Sequence, residues 1–442
     1  MERACVDELI GEQLDRMPVT RLHCFAVVLC AIGFAVDAFE ITMGNLLSAV
    51  FASPPYSTAP DRLSLLLAGV FIGAAIGAPL SGWLADQHGR RKMLIALMLF
   101  MSVTSVGAAV SRDVGELTAW RVMSGLALGA YPPLMVAYLT DLLPACHRGR
   151  MLFLTVAISS LGPLLGTFMV RALVPLQPLS IEAWRWGFIV GGIACAAVGA
   201  LFLRLPESPR WLAVRGRDIE ALEQCERLAK AVPVLAAVTP KRQPDEAPAP
   251  GPTTFSWRRW PLVAALFFLS PWSAIAFPLL TGAILTQRGF RLTDTLFYVG
   301  LSTLGALVGN LLGSFVIDRI GRRIALASCG FGTSVLGYLF IATSSPIMLA
   351  ASSFGFLMLS MISVSVLTLY ASELFPTSRR AGAISSAWAC NRIGAACAPM
   401  LLLPLLASGG VLAMYGVIAA SIGASLVLLC LAPRGHSSCA LR

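Results

Sequence analysis

One polar motif occurs twice in this otherwise hydrophobic chain. Asp86-x-x-Gly89-Arg90-Arg91 returns 232 residues later as Asp318-x-x-Gly321-Arg322-Arg323. A second set keeps the 232-residue offset, because Tyr138, Asp141, Pro144 and Arg148 correspond to Tyr370, Glu373, Pro376 and Arg380. Two repeats in one register indicate internal duplication. Such duplication is typical of membrane proteins built from two similar halves with a site between them.

The composition favours a fold embedded in a lipid bilayer. Hydrophobic residues make up 57% of the chain and charged residues 13%, which is more apolar surface than a soluble protein could bury. A helix needs about 20 apolar residues to cross a bilayer. Twelve such stretches, spans one to twelve, are predicted at 22–47, 63–85, 93–110, 116–140, 151–173, 184–204, 260–285, 295–317, 324–343, 347–371, 382–405 and 410–432. We expect an all-α integral membrane protein with two pseudo-symmetric six-helix halves.

The basic residues are divided unequally between the two sides of the predicted bundle. The net charge is +10, but it is spread over short loops and forms no continuous face for a nucleic acid. Outside the spans, or within three residues of their ends, 25 Lys and Arg residues fall in the termini and even-numbered connections. Six fall in the odd-numbered connections: Arg62, Arg112, Arg171, Arg185, Arg288 and Arg291. The positive-inside rule therefore predicts both termini in the cytoplasm.

The sequence divides into five regions. A polar cytoplasmic segment at 1–21 lacks the apolar centre of a cleavable signal peptide. Two six-helix halves at 22–205 and 258–432 flank a cytoplasmic loop and linker at 206–257, and a cytoplasmic tail covers 433–442. The loop is compatible with a helix around 216–231, whereas its proline-rich later part is expected to be a flexible linker. Thirty arginines against three lysines indicate GC-rich coding, so we expect a bacterial inner membrane.

Several functional classes lack their characteristic residues. Eleven cysteines are scattered mainly through the spans, without Cys-x-x-Cys spacing or a histidine group that could complete a metal site. The sequence contains no Gly-x-x-x-x-Gly-Lys-Ser/Thr phosphate loop and no recognisable nucleophile and base pair. We therefore expect no metal, no cofactor and no enzymatic activity. We expect a monomer that draws its energy from an ion gradient.

The duplicated loops resemble the signature loops of the major facilitator superfamily. The first is Gly82-Trp-Leu-Ala-Asp86-Gln-His-Gly89-Arg90-Arg91-Lys92, and Ser314 through Arg323 is similar to the second copy. Further similar motifs are Arg121-x-x-x-Gly125-x-x-x-Gly129, Asp141-x-x-Pro144-x-x-x-Arg148-Gly149-Arg150, Pro206-Glu-Ser-Pro-Arg-Trp-Leu212 and Glu373-Leu-Phe-Pro376-Thr. Together they resemble the branch of sugar porters and organic-acid/proton symporters. The resemblance implies the major facilitator fold and transport by alternating access.

The duplicated loops are predicted to form a gate on the cytoplasmic side. An acidic residue at a helix end, a glycine turn and paired arginines can bridge to a neighbouring helix end and hold one conformation closed. The alternative is that these arginines serve topology and contact with anionic lipid alone. The candidate gate residues are Asp86, Gly89, Arg90, Arg91, Asp141, Arg148, Arg150, Asp318, Gly321, Arg322, Arg323, Glu373 and Arg380.

The charges inside the spans are not duplicated. At the 232-residue offset, Asp37, Glu40 and Arg121 align with uncharged residues: Leu269, Trp272 and Ser353. An ionised side chain within a span costs at least about 2.5–3.5 kcal/mol, so it needs a partner, a water-filled cavity or a function. Glu40 lies roughly 27 Å along span one, and Arg121 enters span four from the outside, so the two reach a similar depth. Asp37 lies one turn before Glu40 on the same helix face.

We predict that Glu40 alternates between pairing with Arg121 and carrying a proton. A static salt bridge is the alternative interpretation. In the sugar porters that the chain resembles, the aspartate of a Gly-Tyr-Asp tripeptide pairs with the span-four arginine, and the matching tripeptide here is Ala38-Phe39-Glu40. The Asp37 and Glu40 spacing is similar to the Asp-x-x-Asp pattern of aromatic-acid and nicotinate-type symporters. That similarity implies that Asp37 is a second proton-coupling residue.

Arg392 lies near the middle of span eleven, where binding sites of such folds occur. A cation there suits a carboxylate substrate, although a cytoplasmic charge network with Glu373 or with the span-eight loop is the alternative. Aromatic residues of membrane helices more often serve packing than binding. With that alternative open, the other candidates for lining the substrate site are Phe39, Tyr131, Trp272, Trp388 and Asn391.

The residues that sugar porters use for their substrates are missing. Sugar porters carry a glutamine in span five and a Gln-Gln-x-x-Gly-x-Asn run in span seven. Here span five reads Ile158-Ser-Ser-Leu-Gly-Pro-Leu and span seven reads Phe267-Phe-Leu-Ser-Pro-Trp-Ser-Ala-Ile-Ala-Phe277. A hexose would leave many hydroxyls unpaired there. We therefore expect proton-coupled symport of a small organic carboxylate, with aromatic acids as candidates; a drug or sugar transporter and a non-transporting nutrient receptor are the alternatives.

Overall fold

The computed structural model describes residues 10–231, 260–316, 321–374 and 377–432. Within these ranges the chain is helical apart from short connections. The described part contains eleven continuous helical stretches that are long and apolar enough to cross a bilayer. Residues 232–257 of the predicted loop and linker, the whole predicted tail at 433–442 and the predicted gate residue Asp318 lie outside the described residues.

The helices follow the predicted order, with breaks inside some spans. The first half contains span one at Arg21–Ala52, two at Pro60–His88, three at Arg90–Val110, four at Val114–Leu128 and Tyr131–Leu142, five at Ala145–Ser159 and Leu161–Leu173, and six at Ala183–Phe202. The second half contains span seven at Trp260–Ala274 and Ala276–Gln287, eight at Leu292–Val316, nine at Arg322–Ala342, ten at Pro346–Leu374, and eleven and twelve within Thr377–Leu431.

Spans eleven and twelve form one helical stretch that must cross the membrane twice. Thr377–Leu431 contains 55 residues, or about 80 Å at helical rise, which is more than twice the thickness of a bilayer core. Gly410 divides it, since its φ of 73° and ψ of −177° are not helical. Residues on either side of Gly410 pack on different neighbours: Asn391 contacts Phe267 of span seven, and Tyr415 contacts Ser334 of span nine. The predicted twelve crossings in two six-helix halves are therefore confirmed.

A glycine seam shows that the duplication is structural. In the first half, a Cβ added to Gly73 would lie 2.0 Å from the carbonyl oxygen of Val122, so spans two and four touch through their backbones. In the second half, a Cβ on Gly305 would lie 2.2 Å from the carbonyl oxygen of Phe354, so spans eight and ten touch in the same way. Both members of this contact are displaced by 232 residues. Small residues at helix interfaces permit such close approach.

The two halves contact each other closely at the end of the bundle farthest from the chain termini. A Cβ on Gly282 of span seven would lie 2.9 Å from the carbonyl oxygen of Asn45 of span one. Arg171 Nε of span five donates to the carbonyl oxygen of Thr293 before span eight, at 3.1 Å. We call this end the far side and the end that carries the termini the terminal side. The far side is closed between the halves.

Short helices cover the terminal side of the first half. Residues 10–16 form a helix whose Ile10 and Leu14 are fully buried. After span six, two further helices follow at Pro209–Val214 and Asp218–Lys230, so the stretch predicted as helix-compatible is helical. Their apolar residues, including Trp211 and Leu228, pack against the ends of the first-half spans.

Candidate functional site

The structure brings Glu40 and Arg121 together inside the first half. Arg121 Nη1 lies 3.5 Å from Glu40 Oε2 and donates to the Glu40 carbonyl oxygen at 3.1 Å. Ser105 Oγ of span three donates to Glu40 Oε1 at 2.5 Å, and the Arg121 guanidinium lies 5.6 Å from the centre of the Phe188 ring. Both charged side chains are almost fully buried. Their opposite charges offset part of the cost of removing each from water.

This ion pair is incompletely hydrogen-bonded. Glu40 Oε2 and Arg121 Nε have no hydrogen-bond partner among the described residues. Glu40 Oε1, in contrast, is held between Ser105 and the backbone of span six, where a Cβ on Gly191 would lie 2.5 Å from it. One carboxylate oxygen is thus fixed and the other keeps capacity to accept a proton or a further hydrogen bond. The arrangement can exchange a proton without first breaking a strong hydrogen bond.

Asp37 lies at the contact between the two halves. It is fully buried, and neither carboxylate oxygen has a hydrogen-bond partner among the described residues. Its attractive partner is Arg392 of span eleven, in the opposite half, without a hydrogen bond between them. An unpaired buried carboxylate is costly. Asp37 therefore needs a proton, water, a closer approach of Arg392 or a ligand to satisfy it.

Asn391 serves the bend of span seven. Pro271 has no N–H, so the carbonyl oxygen of Phe267 one turn earlier loses its helical partner. Asn391 Nδ2 donates to that carbonyl at 3.2 Å and to Ser270 Oγ at 2.8 Å. The buried Asn391 Oδ1 has no partner among the described residues. The Nδ2 group of Asn391 thus supports the bend of span seven, whereas its Oδ1 atom retains capacity to accept a hydrogen bond.

The predicted aromatic lining residues divide into two groups. Tyr131 is fully buried within the first half, and its hydroxyl donates to the carbonyl oxygen of Cys30 at 3.0 Å. Phe39 packs against Gly166 and Gly191 of spans five and six. Small residues on neighbouring first-half helices leave room for both rings, with Gly33 beside the Tyr131 hydroxyl and Gly166 and Gly191 beside Phe39.

Trp388 lies on span eleven, which also carries Asn391 and Arg392. Trp272 lies on span seven, which contacts span eleven. Trp388 is partly exposed, with its ring 5.4 Å from that of Phe267 and 5.8 Å from the Arg392 guanidinium carbon. Trp272 is buried, and its Nε1 has no hydrogen-bond partner among the described residues. Spans one, seven and eleven therefore each carry a buried polar group that has no hydrogen-bond partner among the described residues: Asp37, Trp272 and Asn391, respectively.

On the terminal side, the first signature loop contacts the loop after span six. Arg90 forms ion pairs with Asp86 and, at 3.9 Å, with Asp141. Asp141 Oδ2 also accepts a hydrogen bond from Ser208 Oγ at 2.9 Å, and Trp211 Nε1 donates to the Asp86 carbonyl oxygen at 2.8 Å. The charges of spans two, three and four are therefore joined through this loop.

The approach of Glu207 shows why residue 89 of the first signature loop is a glycine. Gly89 has a φ of 107°, and a Cβ there would lie 2.6 Å from Glu207 Oε2. Glu207 Oε1 accepts from the backbone N–H of Arg91 at 2.9 Å. Arg91 in turn donates to the carbonyl oxygens of Phe202 and Leu203 at the end of span six, at 3.1 and 2.6 Å. Positive charge at a helix C-terminus is favourable.

Arg148 is held by a residue that the sequence did not single out. Asp15 Oδ1 of the first helix lies 3.3 Å from Arg148 Nη2 and 2.6 Å from Arg210 Nη2. Arg150 is exposed at the start of span five. Glu207, Ser208 and Trp211 lie in a motif noted for its resemblance alone, whereas no local pattern marked Asp15.

Only part of the second signature loop is described. Gly321 precedes span nine, Arg322 is buried, and Arg323 Nη2 donates to the carbonyl oxygen of Cys430 at the end of span twelve, at 3.1 Å. Arg323 therefore repeats the contact that Arg91 makes with the end of span six. The predicted gate residue Asp318 and the side chains of Glu373 and Arg380 lie outside the described part. Within the described residues, no group of His, Cys, Asp or Glu side chains could hold a metal ion.

These features define a class of protein. Twelve membrane-spanning helices in two duplicated halves, with buried charges beside the contact between the halves, are the architecture of a major facilitator transporter. A solved structure with this architecture is the xylose transporter from E. coli in a partially occluded, inward-open conformation. It matches with a TM-score of 0.74 and 18% identity, over 95% of this chain and 99% of that one.

Sequence comparison identifies the family. The family described as sugar (and other) transporter matches residues 24–432, and the chain belongs to it. The niacin transporter of Acinetobacter baylyi is 25% identical over 431 residues, which cover 94% of this chain and 96% of that protein. The gallate transporter of Pseudomonas putida is 27% identical over 398 residues, which cover 87% and 86%. The predicted superfamily is confirmed, and the family consists of transporters, not enzymes.

Proposed function

We propose that this protein carries a small organic carboxylate across a bacterial inner membrane together with protons. The observation that carries the proposal is the buried Asp37, whose carboxylate has no hydrogen-bond partner among the described residues and is attracted electrostatically by Arg392 of the opposite half. A carboxylate substrate would give Arg392 an anionic partner at that position. Arginine suits such recognition because its planar fork can bind both carboxylate oxygens.

The unsatisfied groups nearby fit a substrate of this kind. Trp272 Nε1 is a buried donor and Asn391 Oδ1 a buried acceptor, both without partners among the described residues. A donor and a cation suit the carboxylate, and the acceptor suits a hydroxyl or ring N–H. The ring of Phe268 lies 6.3 Å from that of Trp272, and the ring of Phe267 lies 5.4 Å from that of Trp388, so these spans offer aromatic surface to a flat apolar ring. Two relatives are named for niacin and gallate, both aromatic carboxylates.

Proton coupling is assigned to Glu40, with Asp37 as a second site. When Glu40 is ionised, its ion pair with Arg121 stabilises the first half in one arrangement. When Glu40 is protonated, Arg121 loses its counter-charge and the balance between conformations changes. Substrate-linked protonation of Asp37 would in turn free Arg392 for the substrate carboxylate. The substrate and the proton thus favour the same conformational change.

The closed far side supports a conformation in which the substrate site opens toward the cytoplasm. If the termini lie in the cytoplasm, as the distribution of basic residues predicts, the contacts of Gly282 with Asn45 and of Arg171 with Thr293 close the outer side. The substrate site is then reached from the cytoplasm. The ion pairs around Arg90 and Asp141 are the elements of the inner gate. The protein works as a monomer.

Substrate exchange tests the site without requiring a gradient. Purified protein in liposomes preloaded with unlabelled compound is offered labelled aromatic acids, aliphatic acids, hexoses or cationic drugs. An acid should exchange, and Arg392→Gln should reduce its exchange at least tenfold, because a lost charge-assisted hydrogen bond is worth about 1.5–3 kcal/mol. Arg62→Gln, at an exposed position, is the matched control and should behave like the unchanged protein. Exchange of hexoses or drugs alone would refute the proposal.

A further inference from the structure

The second half contains a cavity that is separate from the Asp37 and Arg392 pair. It lies between spans seven, nine, ten and twelve and has room of about 60 Å³ for the centres of water molecules. One water requires roughly 10–15 Å³ on this measure, so the cavity can hold several waters or a molecule of a few heavy atoms. Its described walls are formed by apolar residues and by six hydroxyl side chains: Ser270, Ser273, Thr333, Ser360, Ser363 and Ser425.

The same region of the first half is solid. At the 232-residue offset, four cavity-lining residues correspond to large side chains that are fully buried: Gly330 to Met98, Thr333 to Met101, Ser360 to Leu128 and Ser363 to Tyr131. Since the backbone seam is shared by the two halves, the empty space results from these smaller side chains. Large apolar side chains could have filled the same space in the second half, but hydroxyl groups line its walls instead.

One hydroxyl points to an occupant. Ser360 is 2% exposed, lines the cavity, and its Oγ has no hydrogen-bond partner among the described residues. A buried hydroxyl without a partner costs free energy, whereas the same group bound to an occupant does not. Ser360 can both donate to and accept from such an occupant.

Four of the other five hydroxyls define the chemistry of that occupant. Thr333 Oγ1 donates to the carbonyl oxygen of Cys329 at 2.7 Å, and Ser425 Oγ to that of Ser421 at 3.0 Å. Ser270 and Ser273 likewise donate to carbonyl oxygens of their own helix. A hydroxyl that has used its single proton retains its lone pairs. The cavity therefore offers mainly acceptors, and it presents no charged residue among its described walls.

We propose that this cavity is a binding site for small neutral molecules that donate hydrogen bonds, such as short diols, with water as its occupant in their absence. An anion would find no cation there, and a cation would find no counter-charge. The site borders the substrate region through Ser270, whose Oγ also accepts from Asn391 Nδ2. It does not depend on the proposed carboxylate substrate.

Thermal unfolding of the full-length protein in detergent tests this site with 1,2-propanediol as the probe. The diol should raise the unfolding temperature in a saturable manner, whereas its dimethyl ether, which cannot donate, should not. Ser360→Ala should weaken diol binding about fivefold, the effect of one hydrogen bond of about 1 kcal/mol. Ser353→Ala, at a buried serine of the same span that does not line the cavity, should leave the binding unchanged.

Filling the cavity provides a second variant. Gly330→Met with Thr333→Met installs the side chains of the first half, and saturable diol stabilisation should disappear. Monodisperse elution and a cooperative unfolding transition of this variant in detergent would show that it folds. Equal responses to diol and diether, a response that rises linearly without saturation as cosolvent effects do, or retained binding in the filled variant would each overturn the proposal.

Discussion

The two halves of this transporter share a backbone and differ in their side chains. Spans two and four meet through Gly73 and Val122, and spans eight and ten meet through Gly305 and Phe354, with the same 232-residue offset. The first half nevertheless buries the Glu40 and Arg121 ion pair, where the second half carries Trp272 and Ser353. The framework of the duplication has been retained while the interior of each half has changed.

The difference separates two tasks. Buried charge, to which we assign proton coupling, is concentrated in the tightly packed first half, whereas the second half contributes the bent span seven, Arg392 and an uncharged cavity. A fixed ion pair benefits from a rigid surrounding, because its geometry decides whether attraction offsets desolvation. A ligand site benefits from space. The predictions that follow test this division, from the largest effect to the smallest.

Glu40→Gln should abolish accumulation of substrate against its gradient while exchange of substrate is preserved within about threefold. The amide retains the size of Glu40 and its hydrogen bond from Ser105 but cannot take up a proton. Uptake driven by an imposed pH gradient, compared with exchange in the same liposomes, measures both properties. Glu116→Gln, at a partly exposed position near the far-side end of span four, is the matched control. Undiminished accumulation by Glu40→Gln would remove the coupling role from this residue.

Arg121→Gln should destabilise the protein by about 3–5 kcal/mol, because it leaves the Glu40 carboxylate buried without its counter-charge. Ser353→Ala, the change at the equivalent position of the second half, should cost less than about 1.5 kcal/mol. Unfolding by heat in detergent compares the two variants. A similar loss at both positions would mean that the charges do not distinguish the halves.

Gly73→Ala and Gly305→Ala should destabilise the two halves to a similar extent, by about 1–3 kcal/mol or more, because the new Cβ must displace a helix backbone. Their Cβ atoms would lie 2.0 and 2.2 Å from carbonyl oxygens. Gly82→Ala has no atom within 4 Å of its new Cβ and should be neutral or stabilising. Unfolding temperatures and the yield of monodisperse protein would report the effect. Tolerance of either seam variant would contradict the shared backbone contact.

Asn391→Ala should cost about 0.5–1.5 kcal/mol, because it removes one hydrogen bond from the Phe267 carbonyl, which then keeps the Ser270 hydroxyl as its donor. The proline is the reason for this dependence, so Pro271→Ala should restore a helical donor and reduce the cost of Asn391→Ala. A double-mutant cycle on unfolding free energies measures the coupling. Additive effects would show that Asn391 does not compensate for Pro271.

The sequence was sufficient for the framework of the fold. Apolar length predicted twelve spans, and the duplicated loops predicted two halves, since both signals are local or repeat at a fixed distance. The breaks in spans four and five and the continuous helical stretch Thr377–Leu431 were not predicted. They depend on how neighbouring helices satisfy or replace individual backbone hydrogen bonds, which no apolar window records.

In the candidate site, the positions of single charged residues were easier to predict from the sequence than the positions of aromatic residues. Glu40 and Arg121 could be matched by depth because a buried charge needs a partner, whereas rings such as those of Tyr131 and Phe39 fit many apolar surroundings. Asp15 escaped notice because it belongs to a short surface helix, and its pairing with Arg148 joins residues distant in sequence. The cavity beside Ser360 became visible only when the small residues of four helices were brought together.

Proton entry into liposomes tests the central claim most directly. Purified protein is reconstituted with a pH-sensitive dye trapped inside, and small aromatic and aliphatic acids are added outside, with protein-free liposomes setting the passive leak of each acid. The account predicts that at least one acid drives acidification above that leak and that Glu40→Gln abolishes it while Glu116→Gln does not. Substrate-driven acidification that persists in Glu40→Gln, or transport of an acid without any proton entry, would contradict the account.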